Sequence, residues 1–344
     1  MESIREAIRL LAEGRDIGAA LAGAAVEEIM GGRCTPAQIG GFLVGLRVKG
    51  ETPEEIAAMA RAMRAHAVRI SPTVDPPPVD LCGTGGAPLK TYNVSTVASF
   101  VVAGAGIPVA KHGNRSHTSK CGSADLMEAL GVNLEAPPEV VQGAIETVGI
   151  GFLFAPVFHP AMRHAAGPRR ELGIRTVFNL LGPLTNPAGV GHQLLGVGIP
   201  ELVEVYPEVL RLLGAERALV VHGVGGVDEI SLLGETVVGE LRDGEIVHYR
   251  IRPEAFGLGR ATPDEVGPLD PPAAAAAARA ILRGEEKGPR HEMVLLNAAA
   301  AIYVAGGAPS IEAGLERAAE SIRSGAAYAA LEGLVRFTHR PWTT

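Results

Sequence analysis

Cysteine is scarce in this 344-residue chain, lysine nearly as scarce, and long apolar runs are missing altogether. The three cysteines, Cys34, Cys82 and Cys121, form an odd set without metal-type spacing, which leaves no basis for a disulfide framework or a zinc cluster. They read as reduced and buried. No stretch approaches the roughly 18 apolar residues of a membrane span. The first thirty residues carry acidic groups and no signal-peptide core, so a soluble, cytoplasmic protein is expected.

Positive charge is also in short supply. With 31 Lys and Arg against 38 Asp and Glu, the net charge of −7 argues against a general nucleic-acid binder resting on a basic face. A small anionic ligand needs only local charge, and two of the few lysines, Lys111 and Lys120, fall in one short loop. There is no Walker pattern, no dinucleotide fingerprint, no Ser/His/Asp order suggesting an acyl nucleophile, and no internal repeat. The length allows one large domain and a smaller one.

What is present centres on residues 79–95, which run from a short apolar segment through Gly83-Thr84-Gly85-Gly86 to hydroxyl and amide side chains before an apolar stretch, 97–105, that reads as a helix. Strand, tight loop and helix start follow in that order. Glycines at 83, 85 and 86 permit positive φ and close approach of backbone N–H groups to an anion, and a helix N-terminus adds partial positive charge. The expected guest is a phosphate, although a tight turn with no ligand would need the same glycines.

Residues 1–70 read as helices, two of them opened by Thr35-Pro36-Ala37-Gln38 and Thr52-Pro53-Glu54-Glu55, each a capping threonine, a proline at the first position and a side chain able to bond back. Met59 and Met63 share a face that reads as core or subunit contact. Residues 71–78 are a proline-rich crossing. Beyond it, candidate strands at 79–81, 109–111, 150–153, 194–197 and 218–222 alternate with helical stretches at 123–130, 138–148 and 201–213. That alternation predicts a mostly parallel sheet with helices on both faces and ligands at the strand carboxyl ends. Residues 236–241 and 245–251, joined by Arg242-Asp243-Gly244, predict a β-hairpin, and the remainder reads as helices.

Three further segments could carry chemistry. Residues 111–123 combine five possible cations, hydroxyls and two glycines between a strand and a helix, which suits a polyphosphate. Asp228 and Glu229 follow another candidate strand. Such a pair can cap a helix, face water or supply the carboxylate half of a magnesium shell completed by substrate phosphates. In the basic stretch 163–175 one arginine could clamp a carboxylate, but spacing does not choose which.

In this order the segments resemble the anthranilate phosphoribosyltransferase family. The resemblance rests on Gly83-Thr84-Gly85-Gly86, Asn93-Val94-Ser95-Thr96, Lys111-His112-Gly113-Asn114-Arg115-Ser116, 119–125, 151–156, 169–173, 178–187 and Asp228-Glu229-Ile230-Ser231, and so spans most of the chain. It implies an α/β fold: a small all-α domain of residues 1–70, joined by about 163–184, and a larger α/β domain of 71–162 and 185–344 with a mostly parallel central sheet and a β-hairpin. It further implies transfer of a phosphoribosyl group from phosphoribosyl diphosphate to anthranilate with Mg²⁺, no nucleic-acid or membrane partner, and a homodimer formed through the small domain. By the same resemblance Gly83, Gly86, Thr91, Asn93, Ser95, Thr96, Lys111, Ser119 and Ser123 would line the diphosphate and ribose phosphate. Asn114 and Arg169 would hold anthranilate with His112 nearby, and Lys111, Asn114 and Arg169 would carry catalysis. The adjoining Ala87, Val94, Gly113, Arg115, Ser116, His117 and Thr118 would complete the substrate-binding set, and Asp228, Glu229 and Ser95 would bind metal. One departure stands out: the family usually has aspartate after the glycines, where this chain has Ala87. A pyrimidine nucleoside phosphorylase or a nucleic-acid-binding relative would share the scaffold; the carboxylate pair argues against the first and the acidic total against the second.

Overall fold

The computed structural model describes residues 2–116 and 120–341, so His117, Thr118 and Ser119 lie outside the described residues. The amino-terminal segment folds as the helices Glu2–Ala12, Gly18–Met30, Pro36–Lys49 and Pro53–Ala65. Both threonine starts form reciprocal caps. Thr35 Oγ1 accepts from the Gln38 N–H at 3.3 Å while Gln38 Oε1 accepts from the Thr35 N–H at 2.9 Å, and Thr52 and Glu55 repeat the pattern. Glu55 also accepts from the Ile17 N–H at 2.9 Å and from the Lys49 ammonium at 2.5 Å, which is how a fully buried carboxylate is satisfied.

Met59 and Met63 are buried in a core with Ile4, Phe42 and Leu43. The helices Arg163–Leu172 and Val177–Leu181 join the same core through Ala165, Val177, Phe178 and Leu181. A segment about a hundred residues away in sequence therefore packs into the core of these helices.

Among the described residues one seven-stranded sheet runs in the order β3-β2-β1-β4-β5-β6-β7. Its strands are β1 (Val79–Gly83), β2 (Val109–Gly113), β3 (Ile150–Phe154), β4 (His192–Gly196), β5 (Arg217–Gly223), β6 (Thr236–Arg242) and β7 (Glu245–Ile251). The first five pair in parallel and the last two antiparallel. Arg242 faces Glu245 across a two-residue turn in which Asp243 (φ 54°) and Gly244 (φ 79°) both take positive φ, the twist-matched choice for a hairpin.

Alternate residues divide the sheet between two cores: Leu194, Leu219 and Val221 face one, and Leu195, Ala218 and Val220 the other, which is continuous with the helical unit. The chain begins the sheet at its middle, moves outward to β3, and returns to place β4 beside β1. Loops leaving the carboxyl ends of β1 and β4 therefore diverge, opening a crevice at the point where strand order reverses.

Candidate functional site

Three loops reach this crevice. The first leaves β1 at Gly83. Gly85 (φ 63°) and Gly86 (φ 71°) take the left-handed conformation expected of them, whereas Gly83 stays in the strand and is required for a different reason. A Cβ at Gly83 would lie 2.9 Å from Asp228 Oδ2. The loop ends at the helix Val94–Gly104, which starts three residues before the expected stretch and so brings Ser95 and Thr96 into its first turn.

Asp228 and Glu229, from the loop after β5, sit beneath these backbone groups. The Gly85 N–H near Asp228 and the Ser95 N–H near Glu229 favour the charged carboxylates. Burial raises the pKa of both. For Glu229 burial and then the adjacent Asp228 charge push it up to about 8, while Lys111 and the Ser95 N–H act in the opposite sense. Among the described residues no group of three or more His, Cys, Asp or Glu gathers into a self-contained metal site. Two half-buried, adjacent, oxygen-only donors facing a crevice fit a hard cation such as magnesium, which takes its other ligands from water and substrate phosphates.

The floor is ionic. Lys111 is buried, its ammonium 2.5 Å from the Leu81 carbonyl, and burial lowers its pKa against the opposing charges of Asp80, Cys82 and Glu229. It borders the crevice from below, with its ammonium held by the backbone of β1. Asp80, fully buried beside it, accepts from the His112 N–H at 3.2 Å and from Asn186 Nδ2 at 2.8 Å, and burial raises it to about 6 despite these contacts and the Lys111 charge. Asn186 also donates to the Ala110 carbonyl at 2.8 Å, tying β1 to β2.

The second loop follows β2. Arg115, expected as a phosphate ligand, spends its guanidinium on Asp125 (2.9 Å) and Glu128 (2.8 and 2.9 Å). Asp125 also accepts from the Ser116 and Gly122 N–H groups, so it shapes the loop. Asn114 is fixed by its N–H to Ser123 Oγ at 3.2 Å, and its Oδ1 accepts from the Arg115 N–H at 2.8 Å. Next to it His112 and His159 face each other, ring centroids 5.1 Å apart. Burial holds His112 down to about 3 and His159 to about 4. Both Nε2 atoms are buried without a partner among the described residues.

The crevice, of about 620 Å³, is lined by Gly83, Gly86, Ala87, Thr91, Asn93, Ser95, Thr96, Lys111, His112, Gly113, Asn114, Arg115, Ser116, Ser123, Asp228 and Glu229. Val94 is not among its walls: its side chain is in the core and its N–H goes to the Tyr92 carbonyl. Arg169 is not among them either. Its guanidinium lies over the Phe178 ring at 5.3 Å, and burial lowers its pKa. From the same basic stretch it is Arg175, with Asn179, that lines the crevice, Arg175 Nη1 standing 3.3 Å from the Gly86 carbonyl. Sequence reasoning also passed over Asp80, Asn186 and His159, whose only signal was a polar residue in or beside an otherwise apolar run.

Comparison with known proteins agrees with this architecture. Residues 75–328 match the family model described as glycosyl transferase family, a/b domain, and residues 5–67 the one described as glycosyl transferase family, helical bundle domain. The anthranilate phosphoribosyltransferase of Desulfosudis oleivorans is 53% identical over 311 residues, covering 90% of this chain and 91% of that protein. The crystal structure of the Thermus thermophilus enzyme of that name superposes with a TM-score of 0.92 at 48% identity, covering 99% of this chain and 100% of the other. The Saccharomyces cerevisiae enzyme in complex with PRPP and Mg superposes at 0.90 with 28% identity, covering 98% of each chain. The yeast enzyme is also known in complex with 4-fluoroanthranilate, with a TM-score of 0.88 at 27% identity and 98% of each chain covered.

Proposed function

The chain belongs to the anthranilate phosphoribosyltransferases, and from that premise we propose how its crevice is used. The reaction moves the 5-phosphoribosyl group from phosphoribosyl diphosphate to the amino nitrogen of anthranilate and releases pyrophosphate, a step of tryptophan biosynthesis that uses Mg²⁺. The observation that carries the reading is convergence: the glycine loop, the first turn of Val94–Gly104, the loop after β2 and the Asp228–Glu229 pair all open into one cavity.

In this reading Asp228 and Glu229, with Ser95 above them, hold the cation. When bound, magnesium offsets negative charge on the pyrophosphate as the C1–oxygen bond lengthens. The glycine-loop backbone and the positive end of Val94–Gly104 receive the phosphates, aided by Thr91, Asn93 and Thr96. Lys111 acts from the floor, its buried charge adding to the potential felt by the leaving group while its ammonium stays on Leu81. An aniline nitrogen is neutral at pH 7, so the acceptor needs positioning rather than a strong base. Asn114 and the neutral His112 border the acceptor. Arg169 joins them only by leaving the Phe178 ring, at about 1 kcal/mol for such a cation–π contact.

The helical unit of residues 1–70 with 163–184 then forms one wall and the α/β unit of 71–162 and 185–344 the other, supported by the shared apolar core. We assign the homodimer contact to the helical unit, where Ala19, Ala20, Gly23, Ala58 and Ala62 line a shallow groove between two helices. Cytoplasmic residence agrees with the absence, among the described residues, of any helix long and apolar enough to cross a membrane.

The test is anthranilate fluorescence, which disappears as product forms. Loss that requires both phosphoribosyl diphosphate and Mg²⁺ supports the reading, and unchanged fluorescence at high enzyme concentration overturns it.

A further inference from the structure

Two cations on the crevice wall, Lys90 and Arg175, are not used by the assignments above, and the second is the one with a buried, unspent donor. Arg175 lies in the short connection between two helices of the helical unit, and both ends of that connection are pinned. Gly173 closes the helix Arg163–Leu172 in the left-handed conformation (φ 62°), and Asn179 Oδ1 accepts from the Thr176 N–H at 2.9 Å as the helix Val177–Leu181 begins. From this fixed base the side chain crosses to the glycine loop of the other unit. Its Nη1 donates to the Gly86 carbonyl at 3.3 Å, and the guanidinium lies so close over Gly86 that any Cβ there would run into it.

A carbonyl is a poor sole partner for a guanidinium, which has five donors arranged to meet paired oxygens of carboxylate or phosphate. Arg175 Nη2 is buried with no partner, and no ion pair involves Arg175 among the described residues. The position after Gly86, where the family usually has an aspartate, is Ala87, so no carboxylate from the loop neutralises this charge. Asp228 Oδ2 also stands against this loop, 2.9 Å from where a Cβ would sit at Gly83. An anion seated on the loop thus has the cation-holding carboxylates on one flank and Arg175 on the other.

We propose that Arg175 is a donor-binding residue that clamps the pyrophosphate group of phosphoribosyl diphosphate from the helical unit, joining the two walls of the crevice through the bound donor. This rests on the transferase reading. The contact exists in the bound donor and strengthens as negative charge collects on the departing pyrophosphate, so both KM for the donor and kcat depend on it.

The test is titration of Arg175→Met and Arg175→Lys with pyrophosphate and Mg²⁺ in a calorimeter, alongside steady-state kinetics. Loss of a charge-assisted hydrogen bond predicts pyrophosphate affinity about tenfold or more weaker in Arg175→Met. Donor KM rises in parallel, anthranilate KM is unchanged, and Arg175→Lys recovers part of the loss. Pyrophosphate affinity equal to the parent's in both variants overturns the proposal, as does a rise confined to anthranilate KM, which would place the guanidinium on the acceptor carboxylate. Because pyrophosphate binding is read without turnover, a parent protein that binds pyrophosphate through Arg175 but leaves anthranilate untouched would sink the transferase reading and not this one.

Discussion

Replacing both His112 and His159 with glutamine should remove an acid sensitivity built into the wall of the crevice. Burial depresses the two imidazoles to about 3 and about 4, against about 6.5 in an unfolded chain. A depressed folded-state pKa contributes stability that is present above 6.5 and is lost as the pH falls toward the folded values, because the unfolded chain takes up the protons first. Between about pH 7.5 and about pH 5.5 the loss is RT ln 10, about 1.4 kcal/mol for each ring and about 3 kcal/mol for the pair. Asp80, raised to about 6, and Glu229, raised to about 8, act in the opposite sense, favouring the folded state as they protonate. They are present in both proteins and cancel when parent and variant are compared. The measurement is therefore a difference of differences: urea unfolding of parent and double variant, without ligands, at both pH values. The parent should lose about 3 kcal/mol relative to the variant on acidification. A gap between the two proteins that stays constant with pH would show that the rings are not buried neutral bases.

Two further outcomes follow from buried polar groups. Asn186→Ala strips hydrogen bonds from the Asp80 carboxylate and the Ala110 carbonyl at once, and with about 1–3 kcal/mol for each buried group left unpaired the protein should lose about 3 kcal/mol in urea unfolding; a loss below about 1 kcal/mol would mean that water replaces the amide. Glu55→Gln keeps the shape of its site but leaves the Lys49 ammonium, whose side chain is only 5% exposed, with Asp16 as its remaining acidic partner. A cost of about 2–4 kcal/mol is expected in thermal unfolding with donor KM unchanged, and a shifted KM would mean that the helical unit transmits the damage to the crevice.

Much of the fold was legible because its signals are local. Thr35 and Thr52 read as helix starts from four residues each, and the hairpin read from Asp243-Gly244 between two apolar runs, since capping and tight turns are settled within one turn of chain. The glycine loop was legible for the same reason, with one exception. Gly83 looked like a third positive-φ glycine, and only the approach of Asp228, from far along the chain, shows that it is small to make room. The early start of Val94–Gly104 escaped because Asn93, Ser95 and Thr96 are weak helix formers alone; the buried face of the helix overrides that preference.

The roles of the charged residues divide in the same way. Sequence alone determined that cations and hydroxyls crowd the loop after β2, that two carboxylates follow β5, and that a run of arginines lies near residue 170, because composition at a position needs no partner to be read. Which charges are free to meet a ligand was decided by tertiary structure. Arg115 is taken by Asp125 and Glu128, Arg169 rests on Phe178, Lys111 is held by Leu81, and Arg175 alone of these reaches the glycine loop with a buried donor unspent. The physical reason is that a charge is neutralised by whatever folds against it: for Arg115 and Arg169 that is the helix next along the chain, whereas Gly86 for Arg175 and Asn186 for Asp80 lie about a hundred residues away, where no local pattern reaches.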